Sequence, residues 1–299
     1  MTELLSINIG MDPNVTRIGG LLITWHGIFT AIGIVAGVWL AVRLAESPRV
    51  GIDGDTAYTI GMIVVACGLV GARALYVVEN YGDSPTIDSI GDIFRITEGG
   101  ISIYGAIIGG ALGGWLYAWR THLRAAAGAD VAVFGMLLGM AIGRIGDLIN
   151  GEHLAKATKL GWGVTYSHIN SPGFEHSFAV GPTHPATTYE MIFDIIIIGV
   201  IAVLWRFRPK SGVIFCAAFL LYAVMRFFVS YLRVDSHYPA FGLSTPQLTS
   251  LLVIVVTLPL MVYFLRRREP DFEPGLTPAE RTRRSLSRAE RRRRLRTGT

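Results

Sequence analysis

An all-α membrane protein with about seven transmembrane helices is the fold class that three observations predict. Hydrophobic residues make up 51% of the 299-residue chain and charged residues only 16%, with a mean hydropathy of +0.46; a soluble domain carries about 25% charge. The apolar residues gather into separate windows of about 20, the length a helix needs to cross a bilayer. Basic links between those windows alternate with acidic or sparse ones. A soluble helical protein with a large core would need far more polar cover than this chain supplies.

Taken in order, the windows fall at 20–42, 56–78, 101–119, 129–149, 188–205, 211–232 and 246–265. No Lys or Arg precedes residue 17 and no short apolar stretch precedes the first window, so that window is expected to stay as an anchor rather than be cleaved. The fourth window is unusual at its end, where Arg144 and Asp147 lie inside it. The link at 150–187 is the longest and mixes aromatic, Gly, Pro and His residues, with Trp162, Tyr166 and Phe178 suited to headgroup depth. Its His168, His176 and His184 are spaced by eight, which matches no compact metal-ligand set, so no metal is expected. Cys67 and Cys216 are the only cysteines, both in apolar windows, and imply no disulfide framework. Glycines recur every four positions at 105, 109 and 113 and at 135, 139 and 143. Each series makes a smooth stripe for close helix–helix contact.

Arg43 and Arg49, Arg120 and Arg124, and Arg206, Arg208 and Lys210 fall in alternate links, whereas 79–99 holds Arg95 against five acidic residues. This pattern places the C-terminus inside the cell and, with seven crossings, the N-terminus outside. Two regions follow: a seven-span domain over 1–265 with an outward loop at 150–187, and an arginine-rich cytoplasmic tail over 266–299. The tail holds 12 Arg against 5 Asp/Glu, a balance of +7 in a chain whose total is +5. It is expected to be disordered and drawn to anionic lipid headgroups. No aromatic or Gly-rich motif accompanies it, so nucleic acid is not an expected partner.

Ionisable groups inside spans are costly and face a bundle interior or an aqueous cavity. His26, Arg73, Arg144, Asp147, Glu190, Asp194, Arg226 and Arg233 qualify. Arg144 and Asp147 are i, i+3 and can pair; Arg226 and Arg233 share a face with Ser230 between them. Glu190 and Asp194 are a like-charge i, i+4 pair that needs a cation from another helix, Arg226 or Arg73. Arginines without a matching surplus of nearby carboxylates suggest an anion site, and a phosphate suits the planar guanidinium fork. A His and a Tyr nearby can handle a proton. A lipid-phosphate site and an ion or solute carrier both remain open at this point.

Six ordered motifs resemble the bacterial prolipoprotein diacylglyceryl transferases. "GRIGDLINGE" (143–152) is similar to that family's G-R-I-G-N-F-I-N-G-E and "HPATTYE" (184–190) to H-P-T-Q-L-Y-E. "EGGISIYG" (98–105) resembles E-G-G-M-S-F-H-G, "TWHG" (24–27) R-W-Y-G, "MRFFVSYLR" (225–233) F-R-F-I-V-E-F-F-R, and "STPQL" (244–248) a segment ending M-G-Q-L. The resemblance covers about residues 20–265. It implies a seven-span enzyme that moves the diacylglyceryl group of phosphatidylglycerol onto the lipobox cysteine of a prolipoprotein, forming a thioether and releasing glycerol phosphate, without a cofactor.

By position, the resemblance assigns catalysis to His26, Tyr104, Arg144 and Arg226. It assigns substrate binding to Arg144, Asp147, Asn150, Gly151, Glu152, Arg226 and Arg233, with support from His184, Tyr189, Glu190, Ser230 and Gln247. The expected partners are phosphatidylglycerol and the signal-peptide region of a prolipoprotein, with a monomer in the cell membrane, the inner one where there are two. Four positions depart from the pattern. His26 stands where Tyr is usual and Tyr104 where His is usual; Asp147 replaces Asn, and Ser230 replaces Glu. The first two read as an exchange of imidazole and phenol, and the second two as a carboxylate moved from one place to another.

Overall fold

The computed structural model describes residues 6–19, 21–80, 90–93, 100, 102–207, 209–236, 238 and 240–268. Most of the arginine-rich tail therefore lies outside the described residues, as does the side chain of Tyr104. Three short strands lead in: β1 (Ser6–Ile9), β2 (Asn14–Ile18) and β3 (Leu21–Thr24). Helices α1 (Trp25–Ala45), α2 (Gly54–Asn80), α3 (Ile90–Ile93), α4 (Ile103–Arg120) and α5 (Ala125–Asn150) follow. After them come β4 (Gly163–Tyr166), α6 (Phe174–Val180), α7 (Ala186–Arg206), α8 (Val213–Val229) with a 3-10 turn at Ser230–Leu232, and α9 (Thr245–Arg266).

Six helices, Trp25–Ala45, Gly54–Val78, Ala125–Asn150, Ala186–Arg206, Val213–Leu232 and Thr245–Arg266, are long and apolar enough to cross a membrane. Helix α4, with 18 residues, coincides with the remaining expected window. Large apolar side chains such as Val35, Met62, Val70, Val203 and Val255 stand exposed along these helices, a surface that suits lipid and not water.

The helix ends follow from local chemistry. The first apolar window begins as strand, because Leu21–Thr24 pairs antiparallel with Asn14–Ile18. Helix α1 then starts where the Thr24 hydroxyl accepts the Gly27 N–H at 3.1 Å, and Asp53 accepts the Thr56 N–H at 3.0 Å ahead of α2. Buried Asp130 accepts the N–H groups of Gly212 and Phe215 at 2.7 and 2.8 Å, capping α8 from the side of α5. At α9 a capping box joins Ser244 and Gln247. The long 150–187 link is more ordered than its composition suggests. It carries β4, which pairs parallel with β1, and the short α6. Trp162 and Phe178 are exposed there, whereas Tyr166 turns inward against Gly151 and Gly173.

Two compact units divide the chain, one of residues 1–41 and 129–267 and the other built on 42–128. In the first, Gly33 and Gly37 of α1 lie on Gly139 and Gly135 of α5; a Cβ on either α1 glycine would stand 2.5 Å from the opposite carbonyl oxygen. In the second, Gly71 of α2 meets Gly105 and Gly109 of α4, where any added carbon would strike backbone. Both expected stripes thus mark helix interfaces, each completed by glycine on the partner helix.

Candidate active site

The last turns of α5 carry Arg144 and Asp147 on one face, and the helix closes at Asn150 with Gly151 at φ 77°. That left-handed residue suits glycine, and its N–H returns to the Asp147 carbonyl at 3.1 Å. Arg144 donates from Nη1 to Asp147 Oδ2 at 2.8 Å and pairs through Nη2 with Glu190 of α7. Arg226, near the end of α8, donates from Nη1 to the other oxygen of Glu190. Arg233 follows the 3-10 turn, with Nη1 3.8 Å from Glu190 Oε1. Three guanidinium groups from three stretches of chain therefore surround one carboxylate whose side chain is 1% exposed.

The surrounding groups set this arrangement. The backbone around Arg233 is tied to the 154–156 segment, with Lys156 N–H donating to Leu232 O at 2.8 Å and Val234 N–H to Leu154 O at 3.0 Å. Asp235 accepts from Arg233 Nε and Nη2 at 2.9 and 2.7 Å. His153, at φ 68°, lies between Asp147 and Asp235 at 3.5 and 3.6 Å and receives an Arg233 N–H at 2.8 Å. Burial disfavours the charged His153 ring, but the two carboxylates outweigh it and raise its pKa above the ordinary value. Burial pushes Asp235 the opposite way, upward, and hydrogen bonds from His153 and Arg233 overcome this to hold it well below the carboxylate range.

His26 opens α1 and brings its Nδ1 to 2.6 Å from Asp147 Oδ1; its backbone N–H reaches Asn150 Oδ1 at 3.3 Å. Asn150 in turn donates to Glu152 at 3.0 Å. Ligand atoms of His26, Asp147 and Glu152 lie within 4.8 Å of one another. A divalent ion with bonds of about 2.1 Å keeps its ligand atoms farther apart than 2.6 Å, and Asp147 is already shared with Arg144. The trio is a hydrogen-bonded unit.

The supporting residues take several places. The Tyr189 hydroxyl accepts from Trp162 Nε1 at 2.9 Å and lies 3.3 Å from His184 Nδ1, which holds the entry to α7 one residue from Glu190. Ser230 donates back to the Arg226 carbonyl at 2.6 Å. The carboxylate beside Arg233 comes from Asp235 instead. Gln247 is engaged in the α9 cap. Asp194 is fully buried, and neither of its oxygens has a hydrogen-bond partner among the described residues. Tyr104 occupies the second position of α4, in the other unit, with its side chain outside the described residues. Sequence reasoning did not select His153 or Asp235. Their only signal was adjacency to "NGE" and to Arg233. The expected excess of arginine over carboxylate is also absent from this cluster: Glu190, Asp147 and Asp235 match Arg144, Arg226 and Arg233.

Residues 13–263 match the family model described as prolipoprotein diacylglyceryl transferase. The chain belongs to this family. A relative from Clostridioides difficile is 35% identical over 229 residues, covering 76% of this chain and 85% of the relative. One from Dehalococcoides mccartyi is 34% identical over 265 residues, covering 87% and 96%, and one from Gloeobacter violaceus is 34% identical over 264 residues, covering 86% and 93%. All three carry the name phosphatidylglycerol–prolipoprotein diacylglyceryl transferase. Membership, with six apolar helices, makes the chain a multi-pass bacterial membrane protein and favours a transferase over a carrier.

Proposed function

We propose that this protein transfers the diacylglyceryl group of phosphatidylglycerol to the lipobox cysteine of a prolipoprotein, forming a thioether and releasing glycerol phosphate. The observation that carries the reading is the convergence of Arg144, Arg226 and Arg233 on Glu190. A guanidinium has five N–H donors. On Arg226 one goes to Glu190, and the side chain is 18% exposed. A lipid phosphate docking there meets donors already held in place.

The thiol, with an ordinary pKa of about 8.5, must lose its proton to attack the glycerol carbon. Negative charge then builds on the departing phosphate, and guanidinium groups fixed in a poorly solvated cleft stabilise that change without reorganising. Asn150, Gly151 and Glu152 hold the turn that closes α5 beside Arg144, and Asp147 orients it.

The same reading takes α4 as a seventh span, the N-terminus and the 150–187 loop as outward, and the C-terminus as cytoplasmic. The arginine tail lies on anionic headgroups, at about 1 kcal/mol per basic residue close to the surface. The protein works as a monomer.

The test is purified protein in liposomes of phosphatidylglycerol with a lipobox peptide, read by mass spectrometry for the thioether. Parallel liposomes of phosphatidylethanolamine and of cardiolipin report donor choice, and a verified relative serves as the positive control. Product only with phosphatidylglycerol is expected. No product beside an active control overturns the proposal.

A further inference from the structure

We propose that His26 and Asp147 form a general-base dyad, with Asp147 holding the proton on Nδ1 so that Nε2 takes the proton of the attacking thiol. This rests on the transferase reading and names the group that activates the nucleophile.

The backbone places the ring. Trp25 N–H reaches Pro13 O at 3.1 Å, Gly27 N–H reaches Thr24 Oγ1 at 3.1 Å, and His26 N–H reaches Asn150 Oδ1. Gly146 of α5 permits the approach, since a Cβ there would stand 2.7 Å from His26 Cα. The imidazole then meets Asp147 at hydrogen-bond distance. An ionised carboxylate only accepts, so the shared proton sits on Nδ1 and the neutral ring presents Nε2 as its acceptor.

Exposure divides the roles: the His26 side chain is 43% exposed and that of Asp147 6%. The reachable group is the base and the sheltered one its orienter, the division of labour of a Ser-His-Asp triad. Nε2 has no hydrogen bond among the described residues. The charged groups around the pair are Glu152, 3.9 Å from Nδ1, and Arg144 and His153, both on the far oxygen of Asp147. A continuous line of contacts runs from His26 through Asp147, Arg144 and Glu190 to Arg226. It joins the base to the groups that face the leaving phosphate.

The step balances. The S–H bond breaks and its proton moves to Nε2, while the sulfur electron pair forms the S–C bond to the glycerol carbon. The C–O bond to phosphate breaks, its electron pair leaving on oxygen. The proton then passes from Nε2 to the released glycerol phosphate, which restores the neutral ring. Asp147 is the positioning residue and His26 the catalytic one.

The experiment uses the full-length protein in phosphatidylglycerol liposomes with a lipobox peptide. H26G is expected to lower kcat by about 10²–10³-fold, and added imidazole to recover at least about tenfold of that loss, as a purely structural histidine would not allow. H26Q, which refills the space, is expected to lose kcat as H26G does. D147N is expected to lower kcat about tenfold or more with the peptide KM within about twofold, and imidazole should not restore it. Activity of H26Q within about threefold of wild type, loss in H26G without imidazole recovery, or a D147N effect confined to KM would each overturn the dyad. Absence of thioether from the wild-type protein would instead strike the transferase reading itself.

Discussion

Arg73 and Arg144 are both arginines in apolar helices, one in each unit, and they serve different parts of the chain. Arg73 is 8% exposed; it donates from Nε to the Ile93 carbonyl at 2.9 Å and from Nη1 to the Gly100 carbonyl at 2.7 Å, with its guanidinium 5.3 Å from the Tyr76 ring centre. These partners are parts of the chain that leads from α2 to α4, so Arg73 fastens a connection. Arg144 binds Asp147 and Glu190, and Glu190 is shared with Arg226 and Arg233. Bonds to the backbone of that connection make Arg73 part of the folded scaffold. Guanidiniums that share a carboxylate form a cluster in which a second anion can find donors. The residue type is alike in the two cases; what marks Arg144 is a buried carboxylate held in common with two further arginines.

The largest expected effect comes from removing the shared carboxylate. E190A leaves three arginines without their common partner in a site where Glu190 is 1% exposed. Stranding buried charge in this way costs about 3–5 kcal/mol. The measurement is thermal unfolding in detergent; a midpoint within about 2 °C of wild type would mean that the cluster is solvated and the contrast with Arg73 is empty.

Next in size is a paired substitution. R144K keeps the charge but loses the fork that spans Asp147 and Glu190, and it is expected to lower thioether formation by about 10²–10³-fold. R73K is expected to lower the unfolding midpoint while leaving the rate of the folded protein within about threefold. Equal loss of activity in both would erase the distinction between fastening and chemistry.

Much of the scaffold was legible because lipid demands long apolar windows, and seven of the observed helices overlie the seven windows. The start of α1 was not, since Leu21–Thr24 is as apolar as the helix and its pairing with Asn14–Ile18 is a matter of partner and not of composition. The glycine stripes of α4 and α5 were visible by their period, but a stripe on one helix does not name the helix it meets. At the site, Arg144 and Asp147 were readable as an i, i+3 pair, and the need of Glu190 for a cation followed from its spacing to Asp194. Of the two cations the spacing offered, Arg226 pairs with Glu190 and Arg73 lies in the other unit; that Arg144 joins as well was not readable. His153 and Asp235 escaped notice because both sit in links, where charge is ordinary until the fold turns it inward.

A smaller effect tests the helix contacts beneath each arginine. G37A in α1 and G71A in α2 each put a methyl group against backbone of the facing helix, an overpacking cost of about 1–3 kcal/mol. Both should lower the unfolding midpoint. Because α1 carries His26 to Asp147, G37A is also expected to slow transfer by the folded protein, whereas G71A should spare it. A rate loss in G71A as large as that in G37A would place the scaffold of the chemistry in both units.

The smallest effect is in pH. The pKa of His153 in the folded protein stands above its ordinary 6.5, since Asp147 and Asp235 prevail over burial. The stability contributed by the protonated ring is therefore complete below pH 6.5 and fades as pH rises through the folded value. The side chain is 28% exposed, so solvent screens part of the attraction and the slope is modest. The protonated ring also gives up the bond it accepts from Arg233 at Nδ1, which trims the gain further. H153Q should flatten the decline in unfolding midpoint above pH 6.5. On the acid side Asp235, held below its ordinary 3.8 in part by His153, loses its contribution as pH falls, and H153Q should weaken that limb as well. The two windows do not overlap, so the limbs are read separately, and an alkaline limb left unchanged by H153Q would show that the charge of His153 adds nothing to stability.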